Sequence, residues 1–149
     1  MDGKPNVLLI MADQLTPLLM GAYGHPVVKT PNLDKLVASG VRFDAAYSPC
    51  PLCAPARAAL MTGTFISRNE VWDNAAPLAS DVPTIAHYLT NAGYETVASG
   101  KLHYVGPDQL HGFRRRLTTD IYPSGYTWLP PPRRERGARY IARRRDAPG

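Results

Sequence analysis

Short apolar runs alternate with helix signals along most of the chain. Residues 6–11 form a continuous apolar run with β-branched members, which is typical of a strand buried on both faces. A helix follows in the prediction, with Thr30 as its N-cap, Pro31 as its first residue and Gly40 as its stop. Its inward face is predicted to carry Leu33, Leu36 and Val37. This alternation predicts an α/β domain with a mainly parallel sheet flanked by helices.

The same alternation continues through the middle of the chain. Residues 41–47 are predicted to be extended, and residues 55–62 to form a helix. A further helix is expected with Ser80 or Asp81 as its cap, Pro83 in its first turn and an end near residues 91–93. Its inward residues are predicted to be Ile85, Tyr88 and Leu89. Residues 94–99 complete the pattern as a strand.

The order of these elements places two charged residues at one edge of the predicted sheet. Asp13 follows the first strand and Lys101 follows the last one. In open parallel sheets, ligands bind beyond the carboxyl ends of the strands. We therefore expect both side chains at the edge that binds ligand.

Composition separates a globular part from a basic tail. The chain has 149 residues and 44% hydrophobic content, which is enough for one domain with a core. Residues 1–129 carry ten Lys and Arg against ten Asp and Glu, whereas residues 130–149 carry seven Arg against two acids. The net charge of +5 therefore lies in the tail, and nucleic-acid binding by the globular part is not expected.

The tail at 130–149 is predicted to be disordered, since Ile141 is its only large aliphatic residue. Its Arg, Pro, Gly and Ala content is typical of a GC-rich gene read out of frame, and the alternative is a native basic tail. No signal-like segment opens the chain, and no apolar run approaches the length of a membrane span. A cytoplasmic protein with no membrane partner is the expectation.

Two cysteines precede the predicted helix at 55–62. Cys50 and Cys53 have the spacing C-x-x-C, which is compatible with zinc ligation, a redox dithiol, a disulfide or two unrelated cysteines. The start of a helix favours negative charge, because its first amides lack partners within the helix. Arg57, one turn into the helix, is suited to hold an anionic oxygen. An anionic ester is the substrate class that this arrangement favours.

The motif from Cys53 to Arg57, Cys-Ala-Pro-Ala-Arg, resembles the C-x-P-S-R signature of the type I sulfatases. The resemblance continues through residues 4–14, 30–36, 100–103 and 106–113, and covers the chain from about 4 to 129. Within the family it is strongest to the enzymes that act on choline sulfate. It implies an alkaline-phosphatase-like sulfatase fold, of which residues 1–129 are the N-terminal part of a catalytic domain that is truncated here. Ala56 stands where the family usually has serine.

The resemblance assigns chemistry to named positions. It implies that Cys53 is oxidised to formylglycine by a formylglycine-generating or other sulfatase-maturing enzyme. Arg57, Lys101 and His103 are then implied as further catalytic residues. Asp13 and Gln14, together with Cys53, are implied as ligands of a divalent metal, Ca²⁺ or Mg²⁺ or Mn²⁺, which oxygen donors suit.

The resemblance also predicts the substrate. It implies that Asn74 contacts the sulfate ester, and that Trp128, with Tyr126 nearby, binds the quaternary ammonium of choline by cation–π contact. The predicted function is hydrolysis of choline sulfate to choline and sulfate. These 149 residues are expected to be inactive alone, because later metal and sulfate ligands of the family are not found after Leu129. A longer form is expected to be able to assemble as a homo-oligomer.

Two other functions stay open at this point. A phosphonate or phosphate monoester hydrolase of the same superfamily uses the same nucleophile motif. A non-enzymatic protein would use the arginine-rich tail to bind nucleic acid or an acidic partner.

Overall fold

A computed structural model describes residues 3–120 of the chain. The chain divides between Tyr47 and Ser48 into two compact units. The first unit contains two short 3₁₀ turns, Pro17–Leu19 and Gly21–Tyr23, and helix α1, Pro31–Ser39. The second unit contains helices α2 (Cys53–Thr62), α3 (Ile66–Asn69) and α4 (Ile85–Asn91), and strands β1 (Val97–Ala98) and β2 (Arg115–Arg116).

Helix α1 confirms the predicted position and end of the first helix. Pro31 is its first residue and Gly40 is its C-cap. Thr30 is the N-cap residue, but its hydroxyl makes no capping bond to the helix amides. It accepts from the amide of Gly21 at 2.9 Å and donates to Oδ1 of Asp34 at 2.8 Å. Thr30 therefore joins the second 3₁₀ turn to α1.

The two extended segments predicted in the first unit are not strands. Residues 6–11 and 41–47 are irregular, and Leu8 and Ile10 are each 81% exposed. The predicted inward face of α1 is also wrong, since Leu33 and Leu36 are exposed and Val37 is only partly buried. A strand requires a hydrogen-bonded neighbour, and within residues 3–120 neither segment pairs with another strand.

Helix α4 begins later than predicted. Its N-cap is Thr84, so Ser80 and Asp81 do not cap it and Pro83 precedes it. The buried hydroxyl of Thr84 donates to the carbonyl oxygen of His111 at 2.6 Å, and the backbone amide of Thr84 donates to Nδ1 of His87 at 3.0 Å. These contacts fix the helix start at Thr84.

The buried residue of α4 is Ala86, whereas Ile85 and Tyr88 are exposed and Leu89 is partly buried. The predicted inward face is therefore wrong for Ile85 and Tyr88. The end of the helix is confirmed, because α4 stops at Asn91.

The second unit has a small core and a two-stranded parallel sheet. Strand β1 lies inside the predicted strand at 94–99, and Val97 and Ala98 pair with Arg115 and Arg116 of β2. The core cluster consists of Ala54, Ala58, Val71, Leu78 and Tyr104. Helix α2 therefore packs its small residues inward, close to the loop that follows β1. None of the helices within residues 3–120 is long and apolar enough to cross a membrane.

Candidate active site

Cys53 is the first residue of α2. The helix starts two residues before the predicted position, with Leu52 as an extended N-cap and Gly63 as a left-handed C-cap. The backbone amide of Ala54 donates a hydrogen bond to Oδ1 of Asn74, a residue outside the helix, at 3.0 Å. Cys53 thus lies at the helix start, where the first backbone amides carry a partial positive charge, as the sequence predicted.

Both cysteines are free thiols and both are partly buried. The disulfide interpretation of the C-x-x-C pair is therefore wrong. Within residues 3–120, no group of three or more His, Cys, Asp or Glu side chains is arranged to hold a metal ion. This gives no support to zinc ligation by Cys50 and Cys53.

Arg57 lies one turn after Cys53 and is 8% exposed. Its Nη1 atom donates to the backbone oxygen of Lys101 at 2.6 Å. The guanidinium has five donors in a fixed plane, so this bond also sets the orientation of the remaining ones. Arg57 therefore joins α2 to the loop that carries Lys101 and His103.

His103 is buried and reaches the same region from that loop. Its Nε2 atom lies 3.1 Å from the backbone oxygen of Asn74, the residue whose side chain binds the start of α2. Burial lowers the pKa of His103, the contact with Asn74 opposes this, and Lys101 lowers the pKa further. Two other charged side chains have smaller effects on the pKa of His103: Asp120 raises it and Arg57 lowers it.

Four of the predicted site residues thus meet around the start of α2. Asn74 binds both the Ala54 amide and the His103 ring, and Arg57 binds the Lys101 backbone. Cys53 lies at a helix start and Arg57 lies one turn further along the same helix, which suits an anionic ester. The individual catalytic roles stay predictions.

The residues that hold the His103 loop were missed by sequence reasoning. Oδ2 of Asp120 accepts hydrogen bonds from the amides of Leu102 and Tyr104, at 3.2 and 3.1 Å. Arg116 forms an ion pair with the same oxygen at 2.7 Å. The sequence gives little indication of these contacts, since Asp120 lies far along the chain from the loop that it binds.

The predicted metal ligands are divided between the two units. Asp13 and Gln14 are exposed residues of the first unit, whereas Cys53 belongs to the second. Their oxygen atoms are the kind of donor that Ca²⁺ and Mg²⁺ prefer, but one carboxylate and one amide are few against a shell of about six to eight oxygens. These donors are of the type that such a metal binds, but they are too few to complete its coordination shell.

Trp128 and Tyr126, as well as the tail at 130–149, lie outside the described residues. The predicted choline contact and the predicted disorder of the tail therefore stay predictions.

Comparison with known proteins identifies the family. The sequence matches the family model described as Sulfatase over residues 5–127. It is 53% identical, over 128 residues, to the choline-sulfatase of Rhizobium meliloti (strain 1021), a match that covers 86% of this chain and 25% of that protein. The chain belongs to the sulfatase family.

Solved structures agree with this assignment. One, determined in complex with its substrate D-glucosamine-2-N,6-O-disulfate, matches with a TM-score of 0.71 and 37% identity over 75% of this chain and 22% of that one. The phosphonate monoester hydrolase of Agrobacterium radiobacter matches with a TM-score of 0.68 and 32% identity, over 77% of this chain and 26% of that one. The prediction of a partial α/β fold of the alkaline-phosphatase-like type, with parallel strands and helices, is confirmed. The chain spans about a quarter of the length of these relatives.

Proposed function

We propose that this chain carries the N-terminal catalytic part of a sulfuric ester hydrolase that cleaves choline sulfate to choline and sulfate. The observation that carries the proposal is the 53% identity to a choline-sulfatase over 86% of the chain. The convergence of Arg57, Asn74, Lys101 and His103 on the start of α2 supports it.

The nucleophile in this proposal is formylglycine made from Cys53. Its hydrate has two hydroxyl groups, and one of them loses its proton to solvent water as its oxygen attacks the sulfur of the ester. The bond from sulfur to the choline oxygen breaks, and the leaving alcoholate takes a proton from His103. Because the pKa of His103 is lowered by burial, its protonated form is a stronger acid than a free imidazolium. Arg57 and Lys101 balance the negative charge that develops.

The second hydroxyl group completes the cycle. After transfer, the sulfate is bonded to the former aldehyde carbon through oxygen. His103, neutral after the first step, takes the proton of the second hydroxyl, the carbonyl reforms, and the carbon–oxygen bond to sulfate breaks. Sulfate leaves with that electron pair and the aldehyde is regenerated. A divalent metal of the kind that the oxygen donors of Asp13 and Gln14 suit would, when bound, lower the pKa of the attacking hydroxyl.

A second candidate is phosphonate monoester hydrolysis. The likeness to the Agrobacterium radiobacter enzyme favours it, at a TM-score of 0.68. The same nucleophile and cations suit an anionic phosphorus ester, so the residues around α2 do not separate the two substrates. Relative rates on choline sulfate, an aryl sulfate and a phosphonate monoester would separate them.

We also propose that these 149 residues have little activity alone, because the metal donors are few. Activity of the purified chain on choline sulfate would overturn this. The catalytic proposal is better tested in a hybrid in which residues 4–129 replace the matching part of the Rhizobium meliloti choline-sulfatase. Choline sulfate hydrolysis by the hybrid, lost in Cys53→Ala, supports the proposal. A folded hybrid that prefers the phosphonate monoester contradicts the sulfatase assignment.

Two measurements refine the same test. Peptide mass spectrometry after co-expression with a maturing enzyme shows whether Cys53 becomes formylglycine, and Ala56→Ser should increase the converted fraction because it restores the family motif. In the hybrid, Trp128→Ala should raise KM for choline sulfate more than for the aryl sulfate. Equal changes in KM for both substrates would contradict the predicted role of Trp128 in choline binding.

A further inference from the structure

His103 has an unusual backbone conformation. Its φ is 62°, in the left-handed region that favours glycine. A non-glycine residue persists in this region only when the surrounding contacts enforce it, and such residues concentrate at functional sites. The contacts that enforce it at His103 are therefore informative.

A single carboxylate oxygen binds the amides on both sides of His103. Oδ2 of Asp120 accepts from the amide of Leu102 at 3.2 Å and from the amide of Tyr104 at 3.1 Å. The Asp120 side chain is completely buried. Two amides that converge on one anion across a left-handed residue form the concave arrangement known as a nest. The loop must bend at His103 for both amides to reach this oxygen.

Arg116 holds the carboxylate in place. Its Nη2 atom lies 2.7 Å from Oδ2 of Asp120, and its side chain is 9% exposed. Its other donors bind backbone and side-chain oxygens of neighbouring segments: Gln109 O at 2.9 Å, Gln109 Oε1 at 3.2 Å and Thr118 O at 2.9 Å. A buried ion pair with these additional hydrogen bonds has a fixed geometry.

We propose that Asp120, held by Arg116, is a positioning residue that imposes the left-handed conformation of His103. It thereby holds Nε2 of His103 against the backbone oxygen of Asn74, beside the start of α2. The catalytic significance of this position rests on the proposed function. The geometric claim does not, so the two can be tested separately.

The test is backbone amide exchange and histidine titration by NMR in the 149-residue chain. Asp120→Asn keeps the size of the side chain and removes its charge. Charge-assisted hydrogen bonds are about twice as strong as neutral ones, so exchange at Leu102 and Tyr104 should accelerate by about tenfold or more. The pKa of His103 should fall, because the Asp120 charge raises it against the opposing charges of Lys101 and Arg57.

Asp108→Asn is the matched control. The Asp108 carboxylate also accepts from two amides, those of Leu110 and His111. This variant should accelerate exchange at those two positions and leave Leu102, Tyr104 and the His103 titration unchanged. A merely destabilised protein would show faster exchange at all four amides and no selective change in the pKa of His103.

Two measurements remain decisive if Asp120→Asn fails to fold. Arg116→Lys keeps the charge but loses the planar fork, and should produce a smaller acceleration at the same two amides. In the wild-type chain, Leu102 and Tyr104 share one acceptor oxygen, so their exchange rates should respond in parallel to added denaturant. Divergent responses would overturn the proposal, as would unchanged exchange and titration in a folded Asp120→Asn chain.

Activity measurements in the hybrid distinguish this proposal from the proposed function. If the hybrid is inactive while the Asp120→Asn chain shows the selective changes, the sulfatase proposal fails and the positioning role stands. If the hybrid is active and those changes are absent, the positioning role fails and the sulfatase proposal stands. When both hold, Asp120→Asn in the hybrid should lower kcat more than it raises KM.

Discussion

Arg57 donates from Nη1 to the backbone oxygen of Lys101 at 2.6 Å, across 44 positions of sequence. This bond joins the helix that begins at Cys53 to the loop that carries His103. A hydrogen bond from a charged donor is lost when the guanidinium is removed, and such bonds contribute more than neutral ones. The bond therefore contributes to stability as well as to the geometry of the candidate site.

Replacing Arg57 by Met tests that contribution. Hydrogen bonds to charged groups contribute about 1.5–3 kcal/mol, so we expect the free energy of unfolding to fall by about that amount. Urea denaturation of the 149-residue chain measures it. Arg68→Met is the control, because Arg68 is exposed in the last turn of α3, and its effect should stay within about 0.5 kcal/mol. If both variants lose the same free energy of unfolding, the contact between Arg57 and Lys101 makes no specific contribution to stability.

Thr84→Val removes a buried hydroxyl without a large change of shape. The Thr84 side chain is fully buried, and its Oγ1 atom donates to the His111 oxygen at 2.6 Å. Loss of this bond at the N-cap of α4 should cost about 1–2 kcal/mol in the free energy of unfolding. Thr119→Val, at an exposed position, should change it by less than about 0.5 kcal/mol. Thermal or urea unfolding of the two variants compares these effects.

Local signals in the sequence predicted the helices better than the strands. Pro31 begins α1 because proline fixes the first turn, and Gly40 is the C-cap of that helix. Gly63 ends α2 because glycine accepts a left-handed cap. The start of α4 at Thr84 depends on its bond to His111, 27 positions away, which no local pattern reveals. Residues 6–11 carry a strand pattern but pair with no other strand within residues 3–120.

The candidate site shows the same division between local and distant information. Cys53 and Arg57 follow from one motif on one helix, and Lys101 and His103 from the family resemblance. Asp120 could not be predicted, because its role depends on the folded path that brings it to the amides of Leu102 and Tyr104. An isolated aspartate in the sequence has no feature that indicates such contacts.

Gly112→Ala should be strongly destabilising. Gly112 has a φ of 93°, and a Cβ atom there would lie 2.5 Å from the His87 ring and 2.7 Å from the His87 amide nitrogen. The left-handed conformation costs about 1–2 kcal/mol for a residue with a Cβ, and overpacking adds about 1–3 kcal/mol. Gly63→Ala has a comparable φ of 66° but open space around the new atom, so only the first cost applies. Similar unfolding free energies for the two variants would contradict the close approach of His87.

The stability of the chain should depend on pH in the range where histidine titrates. Burial lowers the pKa of His111 below its ordinary value of 6.5, the Asp108 carboxylate opposes this, and His87 lowers the pKa further. Burial also lowers the pKa of His103. In both cases the unfolded chain binds protons more readily than the folded one, so stability is full above pH 6.5 and falls as pH decreases toward the folded pKa values. Urea denaturation at a series of pH values through this window measures the slope.

His111→Phe tests the origin of that slope. The ring nitrogens of His111 are buried and form no hydrogen bonds to the described residues, although Nδ1 lies 3.4 Å from Oδ2 of Asp108. Phenylalanine keeps a ring at this position and cannot bind a proton, so the loss of stability below pH 6.5 should become smaller, with the remainder due to His103. The readout is the slope and not the stability at a single pH, because His111 has a φ of 40° and a bulkier ring adds a constant strain there. An unchanged slope would mean that His111 binds a proton as readily in the folded chain as in the unfolded one. The structure argues against this, because His111 is buried beside Tyr104, with the two ring centroids 4.2 Å apart.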